Sequence, residues 1–366
     1  MLDVVVVGGG AMGSAAAWQL ARRGADVVLL EQFGPKHGRG SSHGSSRIVR
    51  LSYDDPFYVD LAATAYHQWD ELEADSNEPL LTWTGVVDHG DQSTVGAMAR
   101  LLSTRGHATD LLDPAEAAAR WPGLRFDGPA LFHPRGGRAH ADRTVAALKR
   151  VAAEHGADIR HDTRVDAVLP AGDHAEIRTD DETLLASAVV VSTGAWTASL
   201  IGDLLRLPAL TVTREQPAHF PPRDPGTPWP SFIHHQIGTP TRGTATPRGT
   251  YGLSSVDGVK VGFHAVGPVV HPDESGMDVD EQPLRVLQDY VAAWVPGVDA
   301  ERPAAAPCLY TLTDDSDFVI DRVGPLTVAA GFSGHGFKFT PEIGRLVADL
   351  VLNGRPAPER FRFSRP

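Results

Sequence analysis

The chain has 366 residues, of which 42% are hydrophobic and 22% charged, and its formal net charge at pH 7 is −13. This size allows two lobes with separate cores, and the negative charge disfavours nucleic acid and anionic membranes as partners because both would repel it. A lone cysteine, Cys308, excludes an internal disulfide.

No apolar run in the sequence reaches the roughly 18 residues that a membrane span requires. The first predicted strand begins at residue 3, which leaves no room for a signal peptide. We therefore expect a cytoplasmic protein with neither membrane nor nucleic-acid partners.

A nucleotide-binding pattern opens the chain. We predict a strand at 3–7, a helix at 12–23 and a strand at 26–31, with the glycines of a G-x-G-x-x-G motif between the first two elements: Gly8, Gly10 and Gly13. In this context the glycines permit a tight turn, close approach of a pyrophosphate and close helix–strand packing, while the helix N-terminus attracts phosphate. Glu31 is placed to accept hydrogen bonds from ribose hydroxyls. The pattern predicts an adenine dinucleotide site, and an ordinary glycine turn is the alternative.

Gly, Ser and His dominate residues 34–46, which we predict to be a loop. Arg47 and Arg50 follow, three residues apart at a predicted helix start, so that one could meet a cofactor and the other an anionic substrate. A solvated basic patch is the alternative for such a pair.

The middle of the chain mixes helices with short strands. We predict helices at 56–73, 92–106, 114–120 and 142–155, strands at 83–88 and 188–191, and a hairpin of 174–179 with 182–187. Asp142 is the predicted N-cap of the fourth helix and Gly156 its C-terminal cap. Prolines crowd residues 217–230, and 238–250 has loop composition, so we expect edges and connections in both.

An alternating strand at 259–264 places Lys260, Gly262 and His264 on one face. Judged from spacing alone, the solvent-exposed side of a sheet is the favoured interpretation of that face. Further on we predict strands at 308–313, 318–320 and 326–330.

The last predicted helix, 341–352, has Thr340 as its N-cap and Gly354 just past its end. Before it, three glycines in residues 331–336 give a backbone that could lie against a planar ring, or simply a strand-to-helix turn. Cys308 on its own is typical of a small buried hydrophobic residue.

Six segments change these separate interpretations, because together they are similar to the monomeric sarcosine oxidase and N-methyltryptophan oxidase family. That family comprises FAD-dependent amine oxidases of the D-amino-acid oxidase-like superfamily, and the resemblance covers essentially the whole chain. The matching segments, in the family's order, are VVVVGGGAMGSAAAWQLARRG, SSHGSSRIVR, VVVSTGAW, VKVGFH, PCLYTLTDDSDFVID and AAGFSGHGFKF. The last two are quite specific to the family.

The resemblance implies an α/β fold of two domains, a Rossmann-like FAD-binding domain and a discontinuous substrate domain with a mixed or antiparallel sheet. We assign 1–82, 141–211 and 311–366 to the FAD-binding domain, and 83–140 and 212–310 to the substrate domain.

The resemblance also implies roles for individual residues. Cys308 matches the cysteine bonded to the flavin 8α-methyl group, which makes covalent FAD the expected cofactor. Arg50 and Lys338 match the cations that pair with the substrate carboxylate. Arg47 matches an arginine over the flavin, and Lys260 a lysine that activates oxygen.

The remaining site residues follow in the same way. His264 and Tyr310 join Arg47 and Lys260 as expected catalytic residues, and Tyr251 and Ile233 are expected in the substrate cavity wall. The expected cofactor contacts are Gly8, Gly10, Ala11, Met12, Gly13, Glu31, Gln32, Ser41, Ser42, Ser46, Arg47, Ile48, Val165, Gly194, Trp196, Cys308, Gly334, Gly336, Phe337 and Lys338. We predict no metal site.

The expected activity is oxidation of secondary amino acids, N-methylated or cyclic, to imines, with O2 reduced to hydrogen peroxide by a monomeric enzyme. The alternatives are a flavin dehydrogenase that passes electrons to a quinone or partner protein, a non-catalytic dinucleotide-binding protein, and a nicotinamide-dependent dehydrogenase. Two departures from the family stand out. Ser45 replaces a common aspartate, and segment 231–250 is longer than its counterpart, which makes sarcosine itself a doubtful substrate.

Overall fold

The computed structural model describes residues 1–236, 249–274 and 276–364. The strands of this part are β1 (Leu2–Val7), β2 (Val27–Leu30), β3 (Arg47–Val49), β4 (Leu81–Thr82), β5 (Val86–Gly90), β6 (Asp110–Leu112), β7 (Ala130–His133), β8 (Gly137–Ala139), β9 (Asp158–Arg160), β10 (Val165–Ala171), β11 (His174–Thr179), β12 (Thr183–Val191), β13 (Thr211–Glu215), β14 (Ala218–Phe220), β15 (Ser231–His235), β16 (Thr250–Ser255), β17 (Gly258–Phe263), β18 (Ala304–Ala305), β19 (Cys308–Leu312), β20 (Val319–Val323) and β21 (Leu326–Ala330).

The α-helices of the same residues are α1 (Ala11–Ala21), α2 (Pro56–Ser76), α3 (Gln92–Thr104), α4 (Pro114–Arg120), α5 (Ala141–Glu154), α6 (Thr197–Ile201), α7 (Glu281–Trp294) and α8 (Thr340–Asn353). None of them is long and apolar enough to cross a membrane.

The first large sheet has the Rossmann-type arrangement that the sequence predicts. β1 lies between β12 and β2 and is parallel to both, while β9 extends the sheet beyond β2 and β21 pairs in parallel with β12. The valines of β1 alternate between two cores, with Val4 and Val6 in one and Val5 and Val7 in the other. Both faces of the strand are therefore covered, as in other parallel sheets.

The second large sheet has the order β18-β14-β17-β16-β15-β5-β7-β6. Its neighbours are antiparallel except for β5 and β15, which run parallel. Phe232, Val259 and Val261 pack with Leu287 and Val291 of α7 in one core. Because side chains alternate along each strand, the neighbouring positions point to the opposite face, where the cavity lies.

Several sequence predictions of local structure are correct. The loop at 34–46, helix α4, the hairpin that begins at His174, and the left-handed Gly354 at the end of α8 all occur as predicted. The predicted runs 182–187 and 188–191 are one continuous strand, β12. The predicted loop 238–250 falls almost entirely outside the described residues.

Other local predictions are wrong for identifiable reasons. Arg47 lies in strand β3, not at a helix start, because it pairs with Ala139 of β8. The predicted strand 83–88 is displaced to β4 and β5. Asp142 does not cap α5, because its carboxylate accepts a hydrogen bond from the Gly44 N–H instead. Thr340 is the first residue of α8, and its hydroxyl makes no cap hydrogen bond.

Candidate functional site

A cavity of 540 Å³ is lined by residues of both large sheets. The first sheet contributes strand ends such as Val7 and Leu30, and the second contributes Tyr251 and Lys260. Residues of the three C-terminal matching segments, among them Cys308 and Lys338, complete the lining. The cavity therefore joins chain segments far apart in sequence.

One end of the cavity is the glycine-rich turn between β1 and α1. Gly8 has φ +102, and a Cβ at Gly13 would lie 1.9 Å from the Gly8 carbonyl oxygen, so neither position has room for a side chain. Glu31 closes β2 and accepts hydrogen bonds from the N–H groups of Gly9 at 2.7 Å and Phe33 at 2.9 Å. Its carboxylate is thereby fixed beside the turn, where the fingerprint predicts the ribose.

The loop before β3 is held by Arg47. Its guanidinium donates hydrogen bonds to the carbonyl oxygens of Ser41, His43 and Ser46, at 2.7 to 2.8 Å. The Ser42 hydroxyl in turn accepts from the Ala11 N–H at the start of α1, at 3.0 Å. These bonds bring the loop onto the N-terminus of α1, where the predicted phosphate site lies.

Lys260 and Cys308 form the buried floor of the site. Lys260 is 7% exposed, so the prediction of a solvent-facing strand is wrong: the cavity covers that face. Its Nζ has no hydrogen-bond acceptor or ion-pair partner within the described ranges. Burial, and then Arg47, lower the pKa of Lys260 to about 7, while Cys308 acts in the opposite direction. Burial raises the pKa of the Cys308 thiol.

Two tyrosines and a histidine lie beside this floor. The His264 and Tyr310 rings are 5.5 Å apart between centroids. Burial raises the pKa of both Tyr251 and Tyr310, so each keeps its hydroxyl proton at neutral pH. Gly334 has φ +72, and a Cβ there would lie 2.2 Å from the Tyr310 ring. The glycine-rich segment therefore packs directly on a residue of the cavity.

Arg50 and Lys338, which sequence places 288 positions apart, meet at one aromatic ring. The Arg50 guanidinium carbon lies 4.7 Å from the centroid of the Tyr53 ring, and the Lys338 Nζ lies 5.3 Å from it. Lys338 also donates a hydrogen bond to the Tyr53 hydroxyl at 2.8 Å. Two cations at one place on the cavity wall form a site for an anion. Tyr53 is not among the predicted site residues, because no motif in the sequence marks it.

Strand register builds the part of the cavity wall next to Arg50. Asp88, Ile233, Tyr251 and Gly262 are consecutive register partners across β5, β15, β16 and β17. They therefore point to the same face of the sheet. His235, two residues beyond Ile233, shares this face and also lines the cavity.

A fully buried carboxylate, Asp88, forms an ion pair with Arg50. Its Oδ1 lies 3.3 Å from Arg50 Nη1 and 2.8 Å from His235 Nε2, and its Oδ2 accepts the Ser52 hydroxyl. Burial by itself would raise the pKa of Asp88, but Arg50, His235 and Ser52 outweigh it and hold the pKa below its ordinary value. No motif in the sequence marks Asp88 as part of a site.

All but one of the predicted site residues line this cavity. They are Gly8, Gly10, Ala11, Met12, Glu31, Gln32, Ser41, Ser42, Ser46, Arg47, Ile48, Arg50, Val165, Gly194, Trp196, Ile233, Tyr251, Lys260, His264, Cys308, Tyr310, Gly334, Gly336, Phe337 and Lys338. Gly13 does not line it, because it is packed against Gly8 instead. Their individual roles remain predictions.

A cluster on the other face of β5 and β15 has donor atoms within 4.8 Å of one another: His89, Asp127 and His234. The two imidazole rings stack 4.3 Å apart with planes only 14° from parallel. Metal ligation requires lone pairs that converge on one point. The in-plane lone pairs of these two rings run side by side instead.

Comparisons with known proteins identify the family to which the chain belongs. Residues 3–350 match the family described as FAD dependent oxidoreductase. The monomeric sarcosine oxidase of Streptomyces avermitilis is 36% identical over 369 residues, covering 97% of this chain and 94% of that protein. The N-methyl-L-tryptophan oxidase of Salmonella agona is 28% identical, covering 99% and 98%.

Among solved structures, NikD, an unusual amino acid oxidase essential for nikkomycin biosynthesis, aligns with a TM-score of 0.88 and 27% identity. The alignment covers 99% of this chain and 97% of NikD. Because the alignment covers nearly the whole chain, the chain has the same two-domain architecture as these flavoenzymes.

The residues of the cavity fit FAD. Ser46 and Thr311 line it with buried hydroxyl oxygens that have no hydrogen-bond partner in the described part of the chain, so both are free to bind a ligand. The glycine turn offers the phosphate end, and Cys308 and Gly334 line the same cavity, where the resemblance implies the flavin ring. On this geometry and the family match, the chain belongs to the FAD-dependent oxidoreductases and is an amine or amino-acid oxidoreductase.

Proposed function

We propose that the protein oxidises secondary amino acids, N-methylated or cyclic, to their imines and reduces O2 to hydrogen peroxide. Relatives named as sarcosine oxidase and N-methyl-L-tryptophan oxidase support this substrate class. The single observation that carries the proposal is the pair of cations, Arg50 and Lys338, which both lie next to the Tyr53 side chain.

The substrate carboxylate binds to this pair. A guanidinium offers a fork of N–H donors and an ammonium a point charge, and together they fix the orientation of a carboxylate. The α-carbon and nitrogen then extend along the wall that Ile233 and Tyr251 form. Anchoring at one end holds the carbon–nitrogen bond in a fixed place, which lowers the entropic part of the barrier.

The amine has to be neutral before its C–H bond can break, because an ammonium has no lone pair to drive the cleavage. Arg50, Lys338 and Arg47 disfavour a further positive charge nearby, so they lower the pKa of the bound amine. Tyr251 and Tyr310 keep their protons, and with His264 they supply hydrogen-bonding groups along the wall.

FAD, when bound, supplies the electron acceptor for the amine and the donor for oxygen. The glycine turn, Glu31 and the Ser41–Ser46 loop would hold its dinucleotide part. We also propose a thioether from the Cys308 sulfur to the flavin 8α carbon, in which the S–H bond and one 8α C–H bond are lost and the two electrons pass to O2. Lys260 stabilises the negative charge that develops on oxygen, for which a buried ammonium without a protein acceptor is well suited. We further propose a cytoplasmic monomer.

A peroxide-coupled screen tests the activity. The purified protein is assayed in air with sarcosine, N-methylalanine, proline and pipecolate, and with glycine and alanine as primary-amine controls. Peroxide from the secondary amines supports the proposal. Reduction of an artificial dye without peroxide would favour the dehydrogenase, and activity only on primary amino acids would overturn the substrate class.

The covalent bond has its own test. Acid-precipitated wild-type protein is expected to stay yellow, while Cys308→Ser protein releases its FAD into the supernatant. A colourless wild-type pellet would contradict the thioether and leave the oxidase proposal intact.

A further inference from the structure

We propose that Asp88 and His235 are positioning residues, which hold Arg50 in the orientation that binds the substrate carboxylate. The inference rests on the proposed function, since it assumes that Arg50 binds this carboxylate. It extends that function to two residues on neighbouring strands of the cavity wall.

Asp88 is the centre of a closed set of hydrogen bonds. Its side chain is fully buried, and three donors converge on it: Arg50 Nη1 at 3.3 Å, His235 Nε2 at 2.8 Å and the Ser52 hydroxyl. Arg50 Nη1 also donates to the Ser52 oxygen at 3.2 Å. One edge of the guanidinium is thus occupied by protein, and the rest of it remains available to the cavity that Arg50 lines.

An arginine without such a support is a long side chain with several rotamers, and binding must then order it. The Asp88 carboxylate removes this cost in advance. It also offsets one of the two cations, so the clamp of Arg50, Lys338 and Asp88 has one net positive charge, which suits one carboxylate.

His235 completes the support. Asp88 accepts at the same oxygen, Oδ1, from Arg50 and from His235, so His235 fixes the carboxylate that fixes the arginine. The parallel pairing of β5 and β15 brings them together, with Asp88 opposite Ile233 and His235 one step further on the same face. The nearby His234 and His89 belong to the opposite face of the sheet, and in the described residues their side chains make no hydrogen bond to Asp88, His235 or Arg50.

The test compares two variants that both remove the Asp88 charge. Asp88→Asn keeps a carbonyl that can accept from Arg50 and His235, and its NH2 can donate to Ser52. Asp88→Leu has the same branching at Cγ, with methyl groups in place of the two oxygens, and makes no hydrogen bonds. The difference between them therefore isolates positioning from charge.

The probe is methoxyacetate, which has the shape and carboxylate of sarcosine but no amine to oxidise. Its dissociation constant is measured on the FAD-loaded protein from the change in flavin absorbance. We expect Asp88→Leu to bind it at least about tenfold more weakly than Asp88→Asn, because the loose arginine must be ordered. In an Arg50→Gln background this difference should vanish.

Kinetics separate positioning from a general structural defect. The KM for the secondary amino acid with the highest kcat/KM in the peroxide screen should rise in Asp88→Leu, while the rate of flavin reduction at saturating concentrations of that substrate stays within about threefold. Asp173→Asn, in an exposed turn, is the matched control and should behave as wild type.

If Asp88→Leu does not fold, His235 gives the same test. His235→Leu should weaken methoxyacetate binding about fivefold, and His235→Gln, which can place a nitrogen near the Nε2 position, should restore it. Equal binding by each pair of variants would overturn the inference. Failure of the wild-type protein to bind methoxyacetate or oxidise any secondary amino acid would overturn the proposed function instead.

Discussion

The two ends of the cavity are built in different ways. The dinucleotide end comes from one continuous stretch, in which β1, the glycine turn, α1 and β2 bring Gly8, Gly13 and Glu31 together within 24 residues of chain. The proposed substrate end comes from strand register, which aligns Asp88, Ile233, Tyr251 and Gly262 across four strands. In the proposed function, a local turn fixes the position of the cofactor, whereas the whole sheet fixes the position of the substrate.

This difference predicts how each end responds to substitution. Changes at the turn should affect folding and FAD retention together. Changes on the wall should leave FAD bound and alter substrate binding, oxygen reactivity or selectivity. The following variants are ordered by the size of the effect that we expect.

Gly13→Ala should have the largest effect. The added methyl group would meet the Gly8 carbonyl at 1.9 Å, and overpacking against rigid backbone costs about 3 kcal/mol or more. We expect little soluble protein and almost no bound FAD, measured by yield and flavin absorbance. Gly38→Ala, where no atom lies within 4 Å, is the matched control and should be unaffected. Normal FAD content in Gly13→Ala would contradict the tight-turn account.

Arg50→Gln should come next. Loss of charge-assisted hydrogen bonds to the carboxylate should lower kcat/KM for the best substrate by about 100- to 1000-fold. FAD content should not change, because Arg50 lies at the proposed substrate end and not at the glycine turn. Arg178→Gln on the exposed hairpin serves as the control. A similar loss in that control would show that the effect is not specific to the clamp.

Lys260→Met should slow reoxidation of the reduced enzyme by O2 about 100-fold, while anaerobic reduction by substrate stays within about threefold. Stopped-flow measurement of the two half-reactions separates these effects. In the wild type, the pKa of Lys260 is lowered to about 7. The oxygen reaction should therefore slow as pH rises through 7 and the ammonium loses its proton, and this dependence should be absent in the variant. Equal slowing of both half-reactions would show that Lys260 has another role.

Ile233→Ala should have the smallest effect. Removing three carbons from the wall enlarges the space beside Tyr251, and such a pocket change is worth about 1–3 kcal/mol in selectivity. We expect the ratio of kcat/KM for N-methylleucine to that for sarcosine to rise about tenfold. Val266→Ala at an exposed position should leave the ratio unchanged. An unchanged ratio in Ile233→Ala would place the substrate elsewhere.

The same contrast explains what could be predicted from sequence. The glycine turn and Glu31 could be predicted, because the strand, turn and helix that position them are adjacent in the chain. Alternation correctly grouped Lys260 with the cavity face of β17, but it could not tell whether solvent or protein covers that face. Asp88 and His235 are 147 positions apart, and nothing local indicates that β5 and β15 pair in parallel.

The most direct test of the account is anaerobic reduction of the bound flavin by sarcosine or N-methylalanine, compared with dimethylamine, which is sarcosine without its carboxylate. If Arg50 and Lys338 bind the substrate carboxylate, at least one of the amino acids should bleach the flavin at millimolar concentration and dimethylamine should not. Equal bleaching by dimethylamine, or none by any secondary amino acid, would contradict the central claim.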